Sequence, residues 1–323
     1  MQGSMRSIVV AFMALGMFAS RVAWAQDYPV KPVKLVMPFA PGGATDLFAR
    51  LVSQKMGESM GQPVVLDYKP GAASMIANEA VATAPKDGYT LLVGTTGMAL
   101  NLIMYSKVPY RMEDFAPVSV IAVPAFAMSV GKGSQARNAK EFIDFVKARP
   151  GKVNYANIGS GSTPHLLAKM LEDVAGLQMQ DIPYKGAGPA LTALASGEVQ
   201  LYFDSVTTSI PQHKSGTIKI LGFTSAERLP AALDVPTLKE QGIPLVATSW
   251  FGIMAPAGTP RPVIDKLHRE VQKAVNSKDY QAKVSATGAT PAASSSPEEF
   301  AALIESMTQL WGRIPSALKI KFD

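Results

Sequence analysis

The 323-residue chain is 47% hydrophobic and 17% charged, too apolar and too varied for a disordered polymer and long enough for two domains. It contains no cysteine, which excludes disulfides, thiolate nucleophiles, zinc-thiolate sites and iron–sulfur clusters. The net charge of +6 comes from 31 basic and 25 acidic residues, with no cluster dense enough for a nucleic-acid face, so the excess reads as a mild field favouring anions.

The first element in chain order is a leader. Met5-Arg6, the apolar run Ile8 to Ala19 and the A-x-A triplet Ala23-Trp24-Ala25 predict a signal peptide over residues 1–25, cut after Ala25. The apolar run is about a dozen residues, short of the roughly 20 that span a bilayer. The expected mature chain is exported, in a bacterium to the periplasm. Without Arg6 and Arg21 it carries 29 basic residues against 25 acidic ones.

After the leader, short β-rich runs alternate with helical periods. Val33 to Phe39 leads into Pro41-Gly42-Gly43-Ala44-Thr45-Asp46 and a helix with Leu47, Phe48, Leu51 and Val52 on one face. Thr90 to Val93 leads into Gly94-Thr95-Thr96-Gly97. Val153 to Ile158 leads into Gly159-Ser160-Gly161-Ser162-Thr163-Pro164-His165 and a further helix. Asp181 to Tyr184 leads into Lys185-Gly186-Ala187-Gly188-Pro189, and Val199 to Phe203 into Asp204-Ser205. Pro164 and Pro189 suit first helical turns, where an N–H has no partner. Two extended apolar stretches, Phe115 to Val130 and Leu245 to Ala255, flank the middle block, and helices follow over Pro262 to Asn276 and Pro297 to Trp311. The alternation predicts an α/β chain with mainly parallel sheets, whose loops at the strand carboxyl ends line a shared crevice. The two crossings predict a discontinuous first domain, 26–122 with 248–323, interrupted by a second, 123–247.

Catalytic patterns are weak. His165, His213 and His268 form no H-x-x-x-H pair, so no metal site is expected. Around Ser160 and Ser162 the G-x-S-x-G pattern fails, at Ile158 and at Pro164, and Gly186 to Leu191 lacks the third glycine of a dinucleotide fingerprint. A secreted serine hydrolase would need His165 or His213 and a carboxylate to converge on Ser160 or Ser162. What the loops share is a means of holding an anion: free N–H groups at helix N-termini, with glycines allowing close approach. Pro41 to Thr45 and Gly159 to Thr163 are the best such segments. Asp46, in a first helical turn, reads as a loop brace accepting backbone N–H bonds. Met37, Phe39, Met98 and Met104 read as core or wall residues.

Tyr28-Pro29-Val30-Lys31-Pro32-Val33 running into Pro38-Phe39-Ala40-Pro41-Gly42-Gly43-Ala44-Thr45-Asp46 resembles the opening of the substrate-binding receptors of tripartite tricarboxylate transporters, the Bug receptors. Pro85-Lys86-Asp87-Gly88-Tyr89-Thr90, Pro150-Gly151-Lys152-Val153-Asn154-Tyr155, Pro183-Tyr184-Lys185-Gly186, Val235-Pro236-Thr237-Leu238 and Trp250-Phe251-Gly252-Ile253 are similar to its later motifs, in order. The resemblance covers nearly all of the mature chain.

It implies a type II periplasmic binding protein, two α/β domains closing on a ligand, with no cofactor and no catalytic residue. The ligand would be a small carboxylate: a di- or tricarboxylate, an amino acid or an aromatic acid. The partner would be a membrane permease of the tripartite type, or, on an alternative reading, a signalling sensor; the receptor would be monomeric. Carried over position by position, the ligand carboxylate would be held by Gly42, Gly43, Ala44, Thr45 and Asp46 and by Gly159, Ser160, Gly161, Ser162, Thr163 and His165. Phe39, Thr95, Tyr184, Lys185, Ala187 and Asp204 would complete the pocket. Family members often carry alanine where Pro41 stands. Intact-mass measurement of protein recovered from a periplasmic fraction is expected to show a chain beginning at Gln26; a mass that retains residues 5–25 would refute the leader.

Overall fold

The computed structural model describes residues 28–318, with side chains to residue 312; the leader and its cleavage site lie outside the described residues. The chain opens with β1 (Val33–Met37), α1 (Ala44–Met60), β2 (Val64–Tyr68), α2 (Met75–Ala82), β3 (Thr90–Thr95), α3 (Thr96–Met104) and β4 (Phe115–Val123). It continues through β5 (Phe126–Gly131), α4 (Ala139–Lys147), β6 (Asn154–Asn157), α5 (Thr163–Ala175), β7 (Gln180–Pro183), α6 (Ala187–Ser196), β8 (Leu201–Ser205), α7 (Val206–Lys214) and β9 (Ile218–Phe223). It returns as β10 (Phe251–Pro256), α8 (Arg261–Val275), α9 (Lys278–Ser285), β11 (Thr290–Pro291) and α10 (Pro297–Leu318).

The strands form two sheets, ordered β11-β4-β10-β3-β1-β2 and β7-β6-β8-β5-β9. In the first, β1 lies parallel to β2 and β3, and β10 runs antiparallel between β3 and β4. In the second, β6 lies parallel to β7 and β8, while β5 runs antiparallel to β8 and β9. The central strands are apolar on both faces, as parallel strands sandwiched between helices must be: Val33, Leu35, Val36 and Met37 of β1 are all buried. Helices cover them with periodic faces. In α1 these are Phe48, Val52 and Met56, and the helix stops at Gly61, whose left-handed backbone lets its N–H bond the Gly57 carbonyl. In α8 they are Val263, Ile264, Leu267 and Val271.

The apolar stretch from Phe115 to Val130 is two strands, because Pro124 has no N–H for a ladder and breaks it, sending β4 into one sheet and β5 into the other. Of the stretch from Leu245 to Ala255, only the part from Phe251 onward is strand. Its first half is extended chain tied at single points, Ala247 N–H to Thr224 O at 2.8 Å and Ser249 N–H to Pro124 O at 3.0 Å. Helix α3 was not expected from the sequence, since Thr96 to Asn101 are all buried and show no amphipathic period. Nor were β2, α2, α4, β9 and α9, which lack either a flanking glycine cluster or a long apolar run.

The last helix locks the first sheet. Trp250 meets Phe300 of α10 edge-on, with ring centroids 5.3 Å apart. The Phe300 ring lies over Gly252 so closely that a Cβ there would sit 2.1 Å from its tip. Gly252→Ala is therefore expected to destabilise the chain by about 1–3 kcal/mol through overpacking. Gly133→Ala, whose added Cβ would meet nothing within 4 Å, serves as the neutral control. Denaturant melts of both variants measure the difference.

Candidate ligand-binding site

The carboxyl ends of the parallel strands in both sheets face one cleft, with about 650 Å³ of empty space including its open mouth. Phe39, Ala40, Gly43, Ala44 and Thr45 line it from the loop after β1, and Thr95 and Gly97 from the start of α3. From the second sheet come Ile158, Ser162, Thr163 and Pro164 after β6, Ala187 at the start of α6, and Tyr202, Asp204 and Ser205 at the end of β8. Phe126, Ser249 and Phe251 line it beside the strand crossing.

Three of these loops end in helices that begin without a side-chain cap: α1 at Gly43, α3 at Thr95 and α5 at Ser162. Helix α6 begins likewise at Gly186, next to Ala187. First-turn N–H groups have no partner inside their own helix and carry the positive end of its dipole, so these starts give the cleft an anion-attracting wall without a cationic side chain. The Ser162 hydroxyl adds to that wall. It is buried and has no hydrogen-bond partner.

Behind the wall stand braces. Asp46 accepts hydrogen bonds from the Gly42 N–H at 3.1 Å, Arg50 Nε at 2.9 Å and the Tyr68 hydroxyl at 2.5 Å. Burial raises its pKa, but the hydrogen bonds from Tyr68, Gly42 and Arg50 more than offset that and hold it below the ordinary carboxylate range. In the facing loop Gly159 donates its N–H to Asn157 Oδ1 at 2.8 Å, and Gly161 donates to His165 Nδ1 at 2.9 Å. The His165 ring is buried and stacked on Tyr155. The Ser160 carbonyl accepts from the Tyr105 hydroxyl, which ties this loop to α3.

The candidate residues thus divide. Phe39, Gly43, Ala44, Thr45, Thr95, Ser162, Thr163, Ala187 and Asp204 line the cleft. Gly42, Asp46, Gly159, Ser160, Gly161 and His165 are not among the lining residues and brace them instead, through the bonds Gly42–Asp46, Gly161–His165, Gly159–Asn157 and Tyr105–Ser160. Tyr184 and Lys185 point to other tasks: the Tyr184 hydroxyl donates to Glu198 at 2.7 Å, and the Lys185 carbonyl accepts from the Ala40 N–H at 3.2 Å while the residue is otherwise exposed. Neither lines the cleft.

Sequence reasoning missed Ala73 and Ser74, which line the cleft from a turn where Ala72, Ala73 and Ser74 have φ of 44°, 50° and 78°. Three successive non-glycine residues in the left-handed region are strained, and no local motif announces them. Asn101 of α3 holds the turn through the Ala73 carbonyl at 2.9 Å. The turn rests on Gly159, where a Cβ would lie 3.1 Å from the Ala73 Cα and φ is +116°, so glycine is required there on both counts. Phe126, Ser249 and Phe251 were also missed, because they reach the cleft only through the strand crossing.

The family model for the tripartite tricarboxylate transporter family receptor matches residues 48–320. The chain belongs to that receptor family. It is 33% identical over 312 residues to the protein BugT of Bordetella pertussis, covering 95% of each chain. It is 35% identical over 314 residues to the UPF0065 protein in the tcbD-tcbE intergenic region of Pseudomonas sp. strain P51, covering 96% of this chain and 93% of the other. Among solved structures, the periplasmic binding protein BugD superposes with a TM-score of 0.87 at 31% identity over 91% of this chain and 99% of its own. A protein of R. palustris solved with adipate superposes with a TM-score of 0.88 at 34% identity, with the same coverage. The receptor's fold is the two-domain periplasmic binding fold. The family match begins after the 39–46 loop, which the longer alignments include.

Among the described residues Ser162 forms no Ser–His pair: its hydroxyl has no partner, and His165 Nδ1 is taken by the Gly161 N–H. Burial pushes the His165 pKa down to about 4, with Lys169 lowering it further and Asp181 raising it, and the neutral ring this favours is the form whose Nδ1 can accept that N–H. The unfolded chain therefore binds more protons between about 6.5 and 4, so this residue's contribution to stability is lost as pH falls through that window. NMR titration of the imidazole is expected to show a midpoint near 4; a midpoint near the ordinary value of about 6.5 would contradict the bond to Gly161.

Proposed function

We propose that the receptor is exported, loses residues 1–25, and captures a small carboxylate between two domains, 26–122 with 248–323 and 123–247, for delivery to a tripartite-type membrane permease. The observation that carries this reading is the convergence of uncapped helix starts from both sheets on one cleft, at Gly43, Thr95, Ser162 and Gly186, with the Ser162 hydroxyl buried and unpaired among them. A carboxylate supplies the acceptors these donors lack. The division into domains is supported by the strands, since those of the first sheet come from residues 33–123 and 251–291 and those of the second from 126–223. Relatives solved with adipate and with malate support a carboxylate ligand.

The geometry favours capture without turnover. Among the described residues the buried Ser162 hydroxyl at the cleft has no base bonded to it, and ligand is expected to be recovered unchanged after prolonged incubation with stoichiometric protein. The receptor acts as a monomer, closing by contact of its own loops: the Ala40 N–H bonds the Lys185 carbonyl, and a Cβ at Gly186 would lie 3.1 Å from the Ala40 nitrogen.

A thermal-shift screen of the mature protein against carboxylates tests the reading, since a ligand at 100 times its Kd stabilises by about 2.7 kcal/mol. Two variants test the geometry. Ser162→Ala is expected to weaken binding by about 0.5–1.5 kcal/mol, the net worth of one hydrogen bond, without destabilising the unliganded protein, because its hydroxyl has no partner to lose. Gly43→Val is expected to abolish binding, because even the first carbon of a side chain would lie 3.2 Å from the Ala187 Cβ across the cleft. Calorimetry with circular dichroism as the folding control reads both. A folded Gly43→Val protein binding within about threefold of wild type, under 1 kcal/mol, would remove this loop from the site.

A further inference from the structure

We propose that the closed form of the receptor is held by contacts between its own two domains on both flanks of the cleft, and that Tyr105 is the latch. Its hydroxyl grips the Ser160 carbonyl, keeps a share of the ligand-free receptor closed and slows ligand release. The inference rests on the reading of two domains that close on a ligand. Tyr105 is a positioning residue, since it does not line the cleft.

Two seams join the domains beside the cleft. At the first, the loop after β1 meets the loop after β7: the Ala40 N–H donates to the Lys185 carbonyl at 3.2 Å, and a Cβ at Gly188 would lie 3.1 Å from the Pro41 carbonyl oxygen. At the second, the loop after β6 meets the end of α3 and the turn at Ala72 to Ser74. A Cβ at Gly161 would lie 2.8 Å from the Met104 Cε and 3.1 Å from the Tyr105 ring, and one at Gly159 would lie 3.1 Å from the Ala73 Cα. At Gly159, Gly161, Gly186 and Gly188 the nearest atoms an added Cβ would meet all belong to the opposite domain. The missing side chains therefore serve the fit between the domains and not the packing within either.

The second seam carries a directed bond. Tyr105 follows the last residue of α3, whose Leu100 and Met104 are buried in one apolar cluster with Leu166 and Leu167 of α5. That packing seats the Tyr105 ring beside Gly161 and brings its hydroxyl to the Ser160 carbonyl. Ser160 sits in a turn closed by the Ser162 N–H on the Gly159 carbonyl at 3.0 Å, so Tyr105 holds from behind the loop whose Ser162 lines the cleft. Opening would break the Tyr105 and Ala40 bonds and uncover Met104. A hydrogen bond made only in the closed form shifts the equilibrium toward closure by its net worth, a factor of about two to ten. Ligand held in the closed form escapes more slowly by the same factor.

The chain has no cysteine, so a pair introduced at the exposed Glu79 of α2 and Asp173 of α5 takes spin labels at those two positions alone. Electron–electron resonance distances in the ligand-free protein are expected to show a shorter and a longer population, with the share of the longer raised about two- to tenfold in Tyr105→Phe. Tyr280→Phe loses a hydroxyl bond to the Ile121 carbonyl, 3.0 Å and wholly inside the first domain, and is expected to lower the melting temperature without moving the distances. Gly188→Ala is expected to raise the longer population without lowering the melting temperature, because alanine suits the first turn of α6 better than glycine and the added carbon presses only on Pro41. Where adipate or malate binds, stopped-flow release is expected about two- to tenfold faster from Tyr105→Phe, with association changed less than about twofold.

Distances unchanged in Tyr105→Phe, a wild type showing only the longer distance, or unchanged release would each overturn the latch. A shift of equal size in Tyr280→Phe would reduce Tyr105 to a stabilising residue and overturn it as well. A folded Gly188→Ala protein with wild-type distances would overturn the part given to the first seam. A protein that binds no carboxylate yet shows the expected distance changes would overturn the ligand class and leave the latch standing.

Discussion

The first turn of an α-helix cannot satisfy its own N–H groups, and this protein turns several of those turns toward one space. The arrangement follows from parallel β-strands, whose carboxyl ends must all emerge on the same edge of a sheet, each feeding a helix that starts there. Two such sheets set edge to edge leave a cleft bordered by positive dipole ends. Gly43, Thr95, Ser162 and Gly186 are the points where that border is left uncapped. The positive field along that border is thus a product of the backbone, since no lysine or arginine is among the residues that line the cleft.

Such a wall must be held stiff, because a dipole that swings away gives up its advantage. The supporting groups do this by using up their own polarity. Asp46 clamps the Gly42 N–H with help from Arg50 and Tyr68, His165 clamps the Gly161 N–H, and Asn157 clamps that of Gly159. On the opposite side the strained turn at Ala72 to Ser74 is pinned by Asn101 and seated on Gly159. Strain of this kind persists only where neighbours over-determine the backbone, and here they come from both sheets.

Close approach is the second requirement, and it sets where side chains are absent. Gly186 faces Ala40 and Gly43 faces Ala187, so the lips of the cleft meet through backbone and methyl groups alone. The same economy governs the first sheet at Gly252, where the Phe300 ring occupies the volume a side chain would need.

The sequence by itself determined the alternation of strand, glycine-rich turn and helix, and with it the α/β class and two of the glycine-rich loops that border the cleft. These are local properties: apolar period, proline at a helix start and glycine at a turn are encoded within a dozen residues. Its ordered motifs also determined the family. The sequence did not determine which residues of those loops face the cleft. Gly42, Asp46, Gly161 and His165 belong to the right segments yet turn their polar groups inward, a matter of hydrogen-bond partners four residues away or more. Tyr184 and Lys185 likewise sit in the right loop and face Glu198 and Ala40 instead. Only the tertiary structure brought Phe126, Ser249 and Phe251 to the cleft, because their place depends on two chain crossings more than a hundred residues apart. It alone exposed the left-handed turn at Ala72 to Ser74, whose conformation is imposed by Asn101 and Gly159 and has no cause in its own sequence.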